Sequence, residues 1–419
     1  MAYQARHIEP RLRTLAQRFP VVVLAGARQS GKSTLLAHLF GKRARTFVFD
    51  PVSDVGNARR DPELFVLHNP PPLILDEVQH APELLPALKR AVDQRPGQHG
   101  QYYLTGSQQF QVLARAQESL AGRALLCDLL PMSRGELLDQ QPAGLVQALF
   151  GPRPVRDAAG LLRRLQRAPR PQAEPGLYER LFRGGYPGLL RFKTAEVPAW
   201  FDSYVRTYIE RDVRTLRDLN DPHQFSRFMR LLAALTAQEI NASQLGREIG
   251  VTPRTATQWL QTLIGSYMVV ALDSYAGNTV KRLSGRAKVH VVDLGLACHL
   301  LAISSASALQ DHPGLGHLFE SYVVTEVLKQ LSGLSVRPVA WHWRTAAGAE
   351  VDLLLERDGV FFPIEIKLTA RPTARDASGI RSFVDTYPRL RIGPGIVVHG
   401  GNELFLVDER TVAVPVDLV

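Results

Sequence analysis

The apolar run VVVLA at residues 21–25 passes directly into GARQSGKST, Gly26 to Thr34, and then into TLLAHLF with helical spacing. No other stretch constrains the fold as strongly. A continuously apolar, β-branched run makes a strand that is buried on both faces, as in a parallel sheet. The glycines of G-x-x-x-x-G-K-S let backbone N–H groups curl around phosphate oxygens, and the start of the following helix adds partial positive charge. Strand, glycine loop and helix together predict a triphosphate cradle built from Gly26, Ala27, Arg28, Gln29, Ser30, Gly31, Lys32, Ser33 and Thr34. Lys32 is expected to reach the β- and γ-phosphates of ATP, and Ser33 to hold Mg²⁺.

Three further strands follow. TFVFD ends at Asp50, and PPLILDEVQ carries Asp76 and Glu77 after its apolar run. Strands of a parallel sheet deliver their last residues to the phosphate side. Asp76 is therefore expected to hold Mg²⁺ through water, and Glu77 to polarise the attacking water. QYYLTGSQQF places Ser107 and Gln108 just past a strand end. A polar residue there either senses the γ-phosphate or caps a helix.

GARQSGKST, LILDEVQ, LTGSQQF, SLAGR, GGYPGLL at Gly184–Leu190 and YIERDV at Tyr208–Val213 resemble, in combination, a family of bacterial and archaeal AAA-type P-loop ATPases. The C-terminal region of that family is a domain of unknown function, and the resemblance covers nearly the whole chain. It implies that Arg123 acts as an arginine finger on the γ-phosphate across a subunit boundary, in a homo-oligomer such as a hexamer. Arginine suits that task by its permanent charge and fork geometry.

The fold class that follows is α/β throughout: an AAA-type parallel-sheet domain at 1–135, a helical linker at 136–220, a winged helix-turn-helix at 221–304, and a restriction-endonuclease-like domain at 305–419. PAG, GPRP and RPQAEPG punctuate the linker, and AWFDSYVRTYIERDVRTL reads as a helix. Its Arg206, Arg211 and Arg214 face phosphate or solvent. HQFSRFMRLLAALTA, ASQLGREIG and TPRTATQWLQTLIG read as three helices, the last with Thr252 as N-cap and Pro253 as its first residue. MVVALDSY and KVHVVD then flank the basic KRLSGR as a β wing. In a winged helix the third helix can lie in a major groove. Arg254, Thr255, Gln258 and Gln261 are its expected donors, with Lys281, Arg282, Arg286 and Lys288 on wing phosphates. Winged helices also dock protein.

In the last region, LGHLFESYVVTEVLKQL is an amphipathic helix, and VDLLLERDG with VFFPIEIKLTA reads as a hairpin. Residues two apart share a strand face, so Glu350 aligns with Asp352, and Glu365 with Lys367. Asp352 and Glu365 are expected to meet across the hairpin beside Lys367, as two acids that can bind Mg²⁺. An acid followed about a dozen residues later by E-x-K resembles the restriction-endonuclease-like nuclease superfamily. The resemblance implies a further acid on the preceding helix, for which Glu320 is the better match and Glu326 the alternative. A purely salt-bridged hairpin is the rival reading. Both tryptophans of WHWR are expected in the core.

Charge and composition narrow the partners. The chain carries 50 Lys/Arg against 40 Asp/Glu, a net +10, and residues 151–220 alone hold 14 Lys/Arg against 8 Asp/Glu. That surplus favours a polyanion such as DNA, although a basic solubility surface gives the same count. Cys127 and Cys298 sit in apolar settings, which argues against a disulfide framework or thiolate metal site. No apolar run approaches the roughly 18 residues of a membrane span. The charged start, MAYQARHIEPRLRTL, lacks a signal-peptide core, so the cytoplasm is the expected compartment. The leading expectation is an ATP-dependent ATPase acting on duplex, hairpin or branched DNA. The alternatives are an ATP-regulated, Mg²⁺-dependent DNA nuclease and a protein-binding ATPase switch in signalling or defence.

Overall fold

The computed structural model describes residues 3–106, 120–142, 144–169, 176–208, 221–277 and 285–419. The chain divides into two compact units. The first is Met1–Met132 with Gly265–Met268, and the second is Ser133–Ile264 with Val269–Val419.

The first unit is built on a parallel sheet of β1 (Val21–Gly26), β2 (Arg45–Val48), β3 (Leu73–Asp76), β4 (Tyr102–Gly106) and β5 (Ala124–Leu129), in the order β2-β3-β4-β1-β5. All six residues of β1 are buried, as the uninterrupted VVVLAG run requires of a strand covered on both faces. Alternation divides its side chains between two cores. Val21 and Val23 pack with Phe65, Leu84, Leu85 and Leu88 on one side. Val22 and Leu24 pack with Ile8, Leu12, Leu35, Leu36 and Phe40 on the other. Each such side chain, fully buried, contributes about 1.5–3 kcal/mol. This two-sided cover holds β1 in the interior and leaves its C-terminal end free to carry the glycine loop.

The second unit contains a mixed sheet of β6 (Gln238–Glu239), β7 (Val269–Ser274), β8 (Lys288–Val291), β9 (Val339–Arg344), β10 (Glu350–Arg357), β11 (Val360–Lys367), β12 (Arg391–Ile392), β13 (Gly395–His399), β14 (Phe405–Asp408) and β15 (Thr411–Pro415). The order is β14-β15-β13-β11-β10-β9-β7-β8-β6, with β12 paired to β11. The hairpin expected at RDG is present: Arg357 pairs with Val360, and Asp358 and Gly359 take φ of 55° and 72°. Two left-handed residues are what a tight two-residue turn demands. The helices Pro222–Ala234, Ala242–Ile249 and Pro253–Gly265 precede β7 and β8, also as the helical spacing predicts. Thr255 N donates to Thr252 Oγ1 at 3.1 Å, the N-cap contact read from TPRT.

One sheet nevertheless runs across the expected 304/305 boundary. Asp273 and Ser274 of β7 pair in parallel with Trp341 and His342 of β9. A two- or three-stranded wing leaves a row of unpaired N–H and C=O groups on its edge, and β9 supplies their partners. Trp343 is buried at 2% exposure, in the aromatic core with Phe361 and Phe383, and Trp341 packs at its margin.

GGYPGLL proves to be a structural joint. Gly184 takes φ +71°, and a Cβ there would stand 2.2 Å from Asp293 Oδ1. Asp293 caps the helix Leu294–Leu300 by accepting from Leu296 N at 3.1 Å, and its other oxygen accepts from Gly185 N at 2.6 Å. The Tyr186 hydroxyl meets that of Tyr204 at 2.9 Å, and Tyr204 stacks on Trp200. Gly184→Ala is expected to destabilise the second unit by about 1–3 kcal/mol through left-handed strain and a displaced carboxylate. Urea unfolding measures it, and an unchanged midpoint would remove the constraint assigned to this glycine.

Cys127 and Cys298 are both buried free thiols. Among the described residues no helix is long and apolar enough to cross a membrane.

Candidate functional site

In the first unit, β1 leads into the loop at Gly26, where a Cβ would stand 2.2 Å from Leu129 O of β5. Only glycine permits that approach. Gln29 and Gly31 adopt φ of 59° and 94°, which turns the chain into the helix Lys32–Phe40. Ala27 and Ser30 are buried, Arg28 is half-buried, and Gln29, Ser33 and Thr34 are exposed. Lys32 Nζ folds back over the loop and donates to Gly26 O at 3.0 Å and Ala27 O at 2.9 Å. Ser33 Oγ donates to Asp76 Oδ1 at 2.7 Å, joining the loop helix to the end of β3.

Asp76 has a second partner that sequence reasoning missed. Thr105, on β4 between β1 and β3, donates its hydroxyl to Asp76 Oδ1 and accepts from Glu77 N at 2.9 Å. Its position in LTGS was visible, but attention falls on the serine after the strand when the strand order is unknown. Glu77 sits at φ 56°, a sparsely populated conformation for a side-chain-bearing residue, and Gln79 Nε2 donates to its Oε2. Arg6 was also missed. Its guanidinium donates to Ser30 O at 2.8 Å and Leu130 O at 2.7 Å, bracing the loop from a residue with no sequence signal. Ser107 and Gln108 lie outside the described residues.

These residues fit a magnesium-bound nucleoside triphosphate. The loop, its lysine and the oxygen donors Ser33 and Asp76 converge where a parallel sheet presents its strand ends. Ser30 Oγ is buried without a hydrogen-bond partner, a polar atom left inside the cradle.

Arg123 is engaged within its own chain. Its fork grips Asp93, with Nε–Oδ1 at 2.5 Å and Nη2–Oδ2 at 3.1 Å, and Nη1 donates to Ala121 O at 3.0 Å. This hydrogen bond, followed by the charge, holds the Asp93 carboxyl below its ordinary value. Any role on a neighbouring phosphate requires Arg123 to leave this pair.

The second unit gathers the other predicted acids. Glu320, on the helix Leu315–Leu331, joins Glu350 and Asp352 of β10 and Glu365 and Lys367 of β11. Lys367 Nζ lies 2.8 Å from Glu365 Oε2 and 3.6 Å from Asp352 Oδ2, and Ile366 N donates to Asp352 Oδ2 at 2.8 Å. Glu326 is elsewhere on the helix, accepting from Arg134 N at 2.8 Å.

Lys288 departs from its expected place. A wing residue that touches phosphate faces solvent, but Lys288 is buried at 3% exposure in the centre of this cluster. Its Nζ lies 2.6 Å from Glu320 Oε1, 2.5 Å from Glu350 Oε1 and 3.4 Å from Asp352 Oδ1. The reason is tertiary. β8 is flanked by β7 and β6 and packs against Leu315–Leu331, so all four of its residues are buried. Mg²⁺ therefore does not fit the cluster as arranged, because the ammonium occupies the point on which three carboxylates converge. Among the described residues no group of three or more His, Cys, Asp or Glu side chains is set to hold a metal ion.

The electrostatics agree with an ammonium-filled cluster. Burial, then the Asp352 charge, pushes both Glu320 and Glu365 up to about 8, against the pull of Lys288 and Lys367 respectively. Burial also opposes ionisation of Asp352, but Lys288, Lys367 and the Ile366 N–H outweigh it and hold Asp352 below its ordinary value. The four carboxyls face two ammonium groups and, 3.9 Å from Glu350 Oε2, the Arg344 guanidinium, so acids still outnumber cations and protonation relieves the excess. A carboxyl whose folded value exceeds its unfolded value contributes stability below the unfolded value, lost as pH rises through the folded one. Glu365→Gln is therefore expected to gain on the wild type between pH 5 and pH 8, by up to about 1.4 kcal/mol per pH unit. Urea unfolding across that range measures it, and a pH-independent difference would exclude a protonated Glu365.

Of the expected nucleic-acid contacts, Arg254, Gln258 and Gln261 are exposed on the helix Pro253–Gly265 and Thr255 is half-buried, while Ala256, Trp259 and Leu263 face inward. Arg286 is exposed. Lys281 and Arg282 lie outside the described residues, as do Arg211 and Arg214.

Fold and loop together define a P-loop ATPase domain of the AAA class. Residues 18–138 match the AAA domain family. Residues 174–307 and 315–419 match two domains of unknown function, DUF8612 and DUF4143. Uncharacterized proteins of Mycobacterium tuberculosis and Mycobacterium bovis are each 31% identical over 422 residues, covering 100% of this chain and 85% of the relative. The chain belongs to the family of these mycobacterial proteins, and in this chain an AAA domain is followed by two domains of unknown function. Among solved structures it is similar to a Walker-type ATPase of Pyrococcus abyssi, with a TM-score of 0.42 and 16% identity, covering 71% of this chain and 96% of that one.

Proposed function

We propose that the first unit hydrolyses ATP with Mg²⁺ and that the second unit couples this turnover to DNA. The observation that carries the proposal is the 2.7 Å contact between Ser33 Oγ and Asp76 Oδ1, at the foot of a loop whose lysine already reaches across its carbonyls. Mg²⁺, when bound, neutralises charge on the β- and γ-oxygens. Lys32 exchanges the Gly26 and Ala27 carbonyls for phosphate oxygens. Ser33 and Asp76 supply oxygen ligands. Glu77, positioned through its backbone by Thr105 and through its side chain by Gln79, orients water for attack on the γ-phosphorus. In a homo-oligomer such as a hexamer, Arg123 exchanges Asp93 for a neighbour's γ-phosphate.

The DNA half of the proposal treats Pro253–Gly265 with β7 and β8 as a winged helix-turn-helix. The exposed Arg254, Gln258 and Gln261 share one helix, and the chain continues from that helix into Gly265–Met268, a segment of the first unit. The net charge of +10 supports a polyanionic partner.

Phosphate release measured with and without linear, hairpin and four-way DNA tests both halves. Turnover stimulated by one of these DNAs is expected. If Arg254 neutralises a phosphate, Arg254→Ala should lower the log–log salt slope of binding by about 1. Absence of turnover under all conditions would defeat the ATPase assignment. Turnover indifferent to DNA, with no binding near physiological salt, would defeat only the DNA half. That second outcome favours a protein-binding ATPase switch, for which Val48, Val52 and Leu67 of the first unit supply exposed apolar surface at 55%, 90% and 74%.

A further inference from the structure

We propose that Lys288 is the resident cation of the carboxylate cluster in the second unit, so that this cluster is an internal ionic cross-link and does not take a divalent metal. Three carboxylates from two elements converge on one ammonium: Glu320 from the helix Leu315–Leu331, and Glu350 and Asp352 from β10. The ammonium donates to Glu350 Oε1 and Asp352 Oδ1, and Glu320 Oε1 stands beside it as an ion-pair partner. Lys367 closes the other side, bridging Glu365 and the far oxygen of Asp352.

Lys288 is not a surface arm resting temporarily in the cluster. It lies within β8, where Leu272 pairs with it on one side and Glu239 on the other. Two residues earlier, the Arg286 carbonyl meets His342 Nε2 at 2.9 Å, pinning the strand's entry to β9. These pairings fix the backbone of Lys288, and the cover over β8 leaves its side chain 4% exposed.

The geometry also separates an ammonium from a magnesium ion. Mg²⁺ demands oxygen ligands at about 2.0–2.1 Å in near-octahedral array and retains waters. Here the central point is filled by nitrogen, with oxygens at 2.5 to 3.4 Å. A hairpin bearing acids and E-x-K is thus compatible with a purely structural role: the cluster ties β8, β10, β11 and one helix together.

Titration of the intact, nucleotide-free chain with Mn²⁺, followed by the free-ion electron paramagnetic resonance signal, tests this. Wild type and Glu365→Gln, which removes one of the two acids expected to hold a metal, are expected to give the same isotherm. Lys288→Met is expected to gain one Mn²⁺ per chain, and Lys288→Met combined with Asp352→Asn to lose it again. Any Mn²⁺ held by the first unit is common to all four proteins and cancels. A wild-type ion lost in Glu365→Gln would overturn the proposal, as would a folded Lys288→Met that gains none. If Lys288→Met unfolds alone but folds with Mn²⁺, the proposal stands. If it folds under neither condition, the wild-type and Glu365→Gln isotherms decide.

Discussion

Lys32→Ala should reduce ATP turnover by about 10²–10³-fold, the usual effect of removing one preorganised group that stabilises transition-state charge. The substitution deletes the only ammonium in the loop's consensus and frees the Gly26 and Ala27 carbonyls that it now bridges. Those carbonyls point oxygen dipoles at the cradle, so their exposure works against an anion as well. Steady-state phosphate release measures turnover, and fluorescent-nucleotide titration shows whether binding falls with it. Lowered turnover with unchanged affinity places the effect in the transition state. Unimpaired turnover would sink the assignment of this loop, and with it the mechanism built on Ser33, Asp76 and Glu77.

Lys288→Met should cost about 3–5 kcal/mol of folding stability near pH 8, the typical consequence of removing one partner from a buried ionic group. Glu320, Glu350 and Asp352 would then face one another with Lys367 3.6 Å from Asp352 and Arg344 3.9 Å from Glu350. The loss should shrink toward pH 5, where Glu320 and Glu365 take up protons. Urea unfolding at the two pH values provides the comparison. A loss below about 1 kcal/mol, or one that grows on acidification, would show that the ammonium does not hold the cluster together.

Some of this architecture was legible residue by residue. The glycine loop was readable because its constraints are local: a buried strand needs VVVLA, and a left-handed turn favours Gly31. The hairpin at Arg357–Val360 was readable for the same reason, since Asp358 and Gly359 are suited to a two-residue turn. The meeting of Glu365 and Asp352 followed from strand alternation plus that turn. Thr105, Arg6 and Lys288 were not readable. Thr105 matters because β4 lies between β1 and β3, and strand order is not written in any single strand. Arg6 reaches Ser30 O across 24 residues of sequence without a motif. Lys288 follows the basic KRLSGR and looked like more of the same surface charge.

The amino-acid sequence by itself determined the phosphate loop, the acids that end β3 and the hairpin carrying Asp352 and Glu365. Each rests on short-range rules of backbone conformation and side-chain alternation. Only the tertiary structure decided that β7 and β9 join into one sheet, that Arg123 grips Asp93, and that Lys288 points inward. Whether a lysine meets water or carboxylate depends on which elements cover its strand. Here that cover comes from Leu315–Leu331 and β10, tens of residues further along the chain.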